Sequence, residues 1–504
     1  MTIVKPTTIF MDKKTKRFGR LFVAATVCAI SIFATSCTSS EDEPEPQGGN
    51  PEVTYRGNVA YSDGLVFNGN ELGNGTQNFH LTGDVVLEKG TYLLKGWVYV
   101  DAGARLRIPA GTVIKGEKST MAALIIEPGG YCEMKGSAQE PIVMTSAQAP
   151  GHRRPGDWGG LIVCGKGLNN QGTQQIEGGP TTIHGGTVKA DNSGIYSYIR
   201  VEFAGYPFDT DKEINGVTFG SVGSGTQIDH IQVSYSNDDS FEWFGGSARC
   251  SYLVAYKGWD DDFDTDNGFD GEVSYCLAVR DPRIADTSQS NGFESDNNAS
   301  GAETTPFTSA QFRNVTLIGP MTANNSSFAN TSEYITAGDL YPDNGSKLGK
   351  FQAAVQIRRS SKLNISNLLA VGYPIGLIID GEKGQTVDYA KAGDFKLENC
   401  IFSGMSVVGT DKNKEYEDYY YDYKTKTEDR SVVSFSHSFF LAGLGNRTME
   451  ESMLGLSDPF ITGQNYCPSS EISDGKGGYI GAFRDASDNW MSGWTNFDPQ
   501  NTVY

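Results

Sequence analysis

Three segments between residues 228 and 298 repeat one pattern, and that repetition limits what this chain can fold into more than any other feature. Ile228-Asp229-His230-Ile231-Gln232-Val233 aligns with Cys250-Ser251-Tyr252-Leu253-Val254-Ala255 and with Val273-Ser274-Tyr275-Cys276-Leu277-Ala278. The anchors lie 22 and 23 residues apart, and each precedes a Phe flanked by acidic or amide residues: Asp239-Ser240-Phe241-Glu242, Asp261-Asp262-Phe263-Asp264 and Asn291-Gly292-Phe293-Glu294. A fixed period of this size marks one supersecondary unit stacked on itself. The apolar residues are β-branched or aromatic, Gly, Asn and Asp punctuate them, and helical spacing is absent. The pattern predicts an all-β solenoid, a right-handed parallel β-helix.

The unit extends in both directions. Upstream, Trp97-Val98-Tyr99-Val100, Arg105-Leu106-Arg107-Ile108 and Thr112-Val113-Ile114 are separated by Gly- and Pro-bearing corners, and Leu124-Ile125-Ile126 opens a second such coil. Downstream, anchors recur at Phe312, Ile365 and Leu397, at spacings that swell to 39 and 53 residues, so loops must be inserted. The third anchor position reads Tyr198, His230, Tyr252, Tyr275, Asn314, Asn367 and Asn399. Three Asn in one register predict an internal amide ladder, each side chain bonding the coils above and below; His230 shares that register and is read as structural. The non-repeating aromatic end, Trp490-Met491-Ser492-Gly493-Trp494, is expected to cover the open end of the solenoid. Domain boundaries follow: a signal segment over 1–36, a tether over 37–55, the β-helix with its N-terminal cap over 56–445, and a capping region over 446–504.

The first segment reads as an address. Lys13-Lys14-Thr15-Lys16-Arg17 precedes an apolar stretch over residues 21–33, too short to span a bilayer, and Ala34-Thr35-Ser36 leads to Cys37. This resembles a bacterial lipoprotein signal, which implies cleavage before Cys37 and lipidation there; an ordinary secretory signal is the alternative. The polar, acidic run from Thr38 to Pro46 reads as an extended tether and resembles the export signal of surface lipoproteins of Bacteroidetes. The formal net charge is −20, and beyond residue 36 there are 35 basic against 60 acidic residues. Such a surface repels nucleic acid and anionic membrane and favours cations or neutral ligands.

The acids carry the sharpest chemical expectation. In register, Glu242, Asp264 and Glu294 fall in one column beside a stack of Phe241, Phe263 and Phe293, with Asp266 and Asp296 two residues on. Carboxylates about 4.8 Å apart repel by about 3 kcal/mol per pair at an effective dielectric near 20. Such a column must be solvated, partly protonated or bridged by a cation. Oxygen-only ligands point to Ca²⁺, with Glu242, Asp260, Asp262, Asp264, Asp266, Glu294 and Asp296 as candidates and a merely hydrated face as the alternative. Lys257 and Arg280 share one register in the same coils and are weak candidates for the base of a Ca²⁺-dependent lyase; neutralisation of neighbouring carboxylates is the favoured reading. Trp243, Trp259 and the Tyr419-Tyr420-Tyr421 run, within the polar insertion over residues 411–430, are candidates for ligand stacking. Five scattered His show no metal-ligand spacing, and the Cys after Cys37 fit bridges or buried thiols equally.

Pro109-Ala110-Gly111-Thr112-Val113-Ile114-Lys115-Gly116, Pro141-Ile142-Val143-Met144-Thr145-Ser146, Asp157-Trp158-Gly159-Gly160 and Gly493-Trp494-Thr495-Asn496-Phe497-Asp498-Pro499 together resemble a family of β-helix outer-membrane lipoproteins of Bacteroidetes. The resemblance implies a surface-exposed domain on the outer membrane, with a TonB-dependent transporter as a possible partner, and implies no activity. The expectation is therefore a non-catalytic surface lipoprotein that binds a ligand such as a polysaccharide, or docks a transporter. A Ca²⁺-dependent polysaccharide lyase or glycoside hydrolase is the rival, and a structural or adhesive surface protein the third reading.

Overall fold

Strands of this chain pair with the strands one coil away, and every pairing along the solenoid is parallel. The structure, a computed structural model, describes residues 54–56, 59–61, 65–67, 71–209, 212–322, 327–456 and 466–504. The signal segment, Cys37 and the tether up to residue 53 lie outside them. Among the described residues no helix is long and apolar enough to cross a membrane.

One coil shows how the sequence builds the fold. Gln227–Ser234 pairs with Gly194–Glu202 on one side and Arg249–Tyr256 on the other, and Phe241–Gly246 pairs with Val217–Val222 and Phe263–Asp266. Repeated along the axis, the first kind of strand makes a bent sheet and the second a front sheet, which runs from Phe79–Leu81 to Val407–Thr410. The bend comes from His230, whose φ is 52° and which the pairing skips, so that Asp229 meets Ser197 and Ile231 meets Ile199. Tyr198, Tyr252, Tyr275, Asn314, Asn367 and Asn399 take the same left-handed conformation. Asn adopts it readily, while Tyr and His do so at a cost of about 1 kcal/mol each.

That register is therefore a corner, and the predicted amide ladder is not what fills it. The rings stack outside the core, Tyr198 on His230 at 4.2 Å, His230 on Tyr252 at 4.5 Å and Tyr252 on Tyr275 at 5.1 Å. Asn314 donates to the carbonyls of Tyr479 and Gly481 in the C-terminal segment, not to the coils beside it. The left-handed backbone turns each side chain outward, away from the axis. His230 is structural, as expected, held by stacking and by Asp229 at 2.8 Å.

The C-terminal segment also differs from expectation. Residues 466–504 do not close the end of the solenoid but run back along its side. Gly481 donates to the Asn367 carbonyl, Trp490 packs edge-on against Tyr252, Trp494 against His230 and Tyr198, and the Tyr504 hydroxyl donates to Glu202. An outward aromatic column has to be covered, and this strap covers it. The helix Phe435–Ala442 is what packs at the last coils, its N-terminus capped by Ser434 and Phe440 stacked on Phe402 at 3.9 Å. The six Cys among the described residues are free and buried, which resolves them as thiols acting as small apolar residues.

Inside, strand alternation sends Phe241, Trp243, Phe263 and Phe293 into the main core. Phe241 stacks on Phe263 at 5.9 Å, and Phe263 meets Phe293 at 5.4 Å. The columns read from the period are present.

Candidate functional site

If Phe241, Phe263 and Phe293 point inward, the residue after each must point outward. Glu242 therefore pairs with Asp264, and Asp264 with Glu294, on the outer surface of the front sheet, with Thr218 one coil before them and Gln356 one coil after. Along the same surface, on the side of the earlier coils, the outward residues are apolar: Tyr99, Ile125, Ile162, Cys164 and Phe244 pack with Ile214 and under Ile176 from an inserted segment over residues 165–192. That segment carries the hairpin of Gln174–Gln175 with Ile183–His184. The acids begin where this apolar cover ends.

The column divides into two halves with different chemistry. At the far end, Arg358 pairs with Glu294 and, at 2.9 Å, with Asp296, while Arg359 reaches Asp296 at 2.6 Å. At the near end the carboxylates crowd together, and among the described residues none of them is ion-paired with a Lys or Arg. Asp238, Asp239 and Asp260 form one group and Asp239, Glu242 and Asp264 a second, with oxygens in each group within 4.8 Å of one another. Asp238 and Asp239 were not among the sequence candidates. Their signal was available, because Asp238-Asp239 and Asp260-Asp261 occupy the same turn one coil apart; the Asp261 amide donates to Asp239 at 2.8 Å.

Burial, reinforced by the neighbouring carboxylates, pushes Asp238, Asp239, Glu242, Asp260, Asp264 and Asp266 well above the ordinary carboxylate range. One Asp264 oxygen is buried without a hydrogen-bond partner. Asn215, 1 % exposed, donates its amide to Glu242 while its own side-chain oxygen is left without a partner. A hard divalent cation would answer both features, since carboxylate and amide oxygens are its usual ligands. The oxygen-only donor set fits Ca²⁺.

The remaining candidates fall elsewhere. Asp262 is diverted into a fully buried ion pair with Arg280 at 3.0 Å, where burial raises its pKa to about 6 despite the guanidinium beside it. Arg280, which also donates to the carbonyls of Trp259 and Asp260, has no access to a substrate proton. Lys257 lies 3.5 Å from Asp281 and over the Tyr256 ring. These positions match the neutralising role for both residues. Trp243 and Trp259 are fully buried, so neither can stack on a ligand; Trp243 occupies an inward position, and Trp259 packs against Ile284 and Ala337. Tyr419 is buried, with Arg430 over its ring at 4.1 Å. Tyr420 and Tyr421 stay partly exposed and line a crevice with Gln385, Asp388 and Tyr423.

Beside the acids runs a groove that sequence reasoning missed. It is open to solvent and offers about 750 Å³ between the inserted hairpin and residues 298–300, with Phe244, Asp266 and Asn267 on its floor. Gln171, Gln174, Gln175 and Glu177 form its wall. The hairpin that makes this wall is held by His184, whose Nδ1 lies 2.9 Å from the Ser221 hydroxyl. Burial lowers the His184 pKa from 6.5 to about 4. A base whose folded pKa is depressed contributes stability above its unfolded pKa and loses it as pH falls through the window between the two. Urea unfolding of the chain should therefore lose up to about 3 kcal/mol between pH 7 and pH 4 relative to His184→Phe. Parallel pH profiles for the two proteins would refute this.

A solenoid whose stacked strands pair in parallel, coil upon coil, defines the class, that of the parallel β-helix proteins. The chain belongs to the pectate-lyase-like β-helix domain family, whose profile matches residues 79–437. It is also similar to the Dettilon tailspike protein, a crystal structure, at 13 % identity and a TM-score of 0.22. That match covers 65 % of this chain and 60 % of the tailspike chain. No curated protein matches the chain.

Proposed function

We propose that this chain is a cell-surface lipoprotein whose β-helix binds a glycan in the groove of its front sheet without cleaving it. The groove carries this reading: it is open and lined by Gln171, Gln174, Gln175 and Asn267, whose amides suit sugar hydroxyls. Ca²⁺ at Asp239, Glu242 and Asp264 would stiffen the adjoining floor. In the same reading Cys37 carries the lipid, the acidic tether holds the domain off the outer membrane, and a TonB-dependent transporter is the natural recipient of the captured glycan. Loss of lipid labelling in Cys37→Ala tests the anchor.

A lyase would need an accessible basic residue at the acids, and Arg358 and Arg359 are committed to Glu294 and Asp296. One observation favours a hydrolase as the second reading. The oxygens of Asp239, Glu242 and Asp264 approach within 4.8 Å, near the separation of about 5–5.5 Å used by retaining glycosidases. Incubation of the full chain with a polysaccharide panel separates the readings. Retention of a glycan with no new reducing ends and no unsaturated product is expected, and Gln174→Ala should weaken it about fivefold. Chain shortening that disappears in Glu242→Gln would replace binding by hydrolysis.

A further inference from the structure

We infer that the groove is one end of a longer track whose second subsite is the tyrosine crevice, so that the ligand is a glycan chain of several sugars rather than a single unit. The inference rests on the glycan-binding reading above. Groove and crevice share a wall. On the groove side it is the turn of Asn298, Ala299 and Ser300, in which the Asn298 side chain accepts from the Ser300 hydroxyl at 2.7 Å and the Ala302 amide at 2.9 Å. On the crevice side it is Gly384 and Gln385. The Ser360 hydroxyl joins the two sides, donating to the Gly301 carbonyl at 2.7 Å and accepting from the Gln385 backbone amide at 3.0 Å. Gly301 and Gly384, with φ of 72° and 75°, permit this approach. A Cβ on Gly301 would stand 3.0 Å from the Gly384 nitrogen, and one on Gly384 would stand 2.8 Å from the Gly301 carbonyl oxygen. Ala299 and Ser300 are exposed and short, which keeps the crest between the two recesses low.

The crevice offers what the groove lacks, an aromatic face that solvent reaches. A pyranose carries C–H groups on its faces and hydroxyls round its rim, so a ring face beside amide and carboxylate groups matches it. One wall is the helix Thr386–Ala392 with Gln385 before it, and the other is the hairpin of Tyr420–Asp422 with Thr427–Asp429. Tyr421 is spent on packing, with Lys412 at 4.7 Å over its ring and Tyr423 edge-on at 4.9 Å. Tyr420 is partly exposed, and among the described residues no ring or cation stacks on it. Lys424 crosses from the hairpin to the helix, ion-paired with Asp388 and donating to the Gln385 side-chain oxygen at 3.1 Å. So closed, the crevice keeps about 40 Å³, space for about one or two waters. Lys424 and Asp388 are both exposed, and an exposed ion pair holds weakly. A sugar that displaces this latch gains the Tyr420 ring and frees Gln385 and Asp388 for its hydroxyls.

The test is calorimetric titration of the full chain with gluco-, manno-, galacto- and galacturono-oligosaccharides, each as a ladder from two to six units. In the series that binds, affinity should rise about tenfold or more from disaccharide to hexasaccharide. Tyr420→Ala should weaken the hexasaccharide about fivefold and leave the disaccharide within about twofold, while Tyr420→Phe, which keeps the ring, should bind as the parent does. Lys424→Ala, which removes the latch, should tighten the hexasaccharide about twofold. Gln174→Ala should weaken both lengths. Affinity that ignores length, or a hexasaccharide indifferent to Tyr420→Ala, overturns the inference and leaves glycan binding in the groove standing. A Tyr420→Phe loss equal to that of Tyr420→Ala, or weaker binding in Lys424→Ala, also overturns it. Binding of no oligosaccharide at all would instead overturn the glycan-binding reading.

Discussion

Arg280→Met should cost the folded chain about 3–5 kcal/mol, among the largest effects of any single substitution in the solenoid. The guanidinium and the Asp262 carboxylate are both fully buried and 3.0 Å apart. Removing the cation leaves a carboxylate that cannot reach water, an Asp260 carbonyl that loses the guanidinium as its donor, and a Trp259 carbonyl left with the Ser290 hydroxyl alone. Asp262 would recover part of the loss by taking up a proton, because burial already holds its pKa at about 6. The variant should therefore be less destabilised at pH 5 than at pH 8. The double variant Asp262→Asn/Arg280→Met, which removes both charges, should regain a large part of the loss. Urea midpoints for the two singles and the double decide the matter. A double variant no more stable than Arg280→Met would show that shape rather than charge sets the cost.

The second large effect concerns divalent cations and pH. Asp238, Asp239, Glu242, Asp260, Asp264 and Asp266 are all raised, by burial first and by one another's charge second. A carboxyl whose folded pKa stands above its unfolded value contributes stability that is complete below the unfolded pKa, near 4, and is lost as pH rises through the folded one. A tenfold change in one group's proton affinity corresponds to about 1.4 kcal/mol, and the groups titrate together rather than singly. In chelator, the urea midpoint should fall from pH 5 to pH 8 by an amount equivalent to several kcal/mol. Ca²⁺ at a hundred times its dissociation constant should return about 2.7 kcal/mol per site at the upper end of that range. Asp239→Asn, at the residue common to both groups, should flatten the fall and blunt the Ca²⁺ response. A midpoint that climbs with pH in chelator, or ignores Ca²⁺, would leave the acids as a hydrated face.

The columns of Phe and acid were legible because one period and one alternation decide them together. Anchors 22 and 23 residues apart place Phe241 over Phe263, and an inward Phe forces the next residue outward. Backbone handedness at the corner was not legible. Tyr, His and Asn at one position look like a hydrogen-bonding register until φ is known, and positive φ turns them to the outside. Trp243 was misplaced for want of the same alternation, being two residues from Phe241 and so inward with it. The groove escaped because its wall is an insertion. Residues 165–192 obey no period, and their return across the front sheet is set by apolar contacts of Ile176 with outward residues of the sheet and with Ile214, which lies beyond the insertion in the chain.

Stacked repeats ordinarily touch only their neighbours, so their ends fray and disorder can spread inward one coil at a time. The C-terminal strap changes that arithmetic. Its contacts begin at Asn314 and Asn367, pass Tyr252, His230 and Gln232, and finish at Glu202, Arg153 and Lys115. Late and early coils are thereby laced lengthwise by one peptide. Opening the solenoid anywhere beneath the lacing means letting go of the strap as well, so this array should come apart as one piece, where an unlaced one would peel.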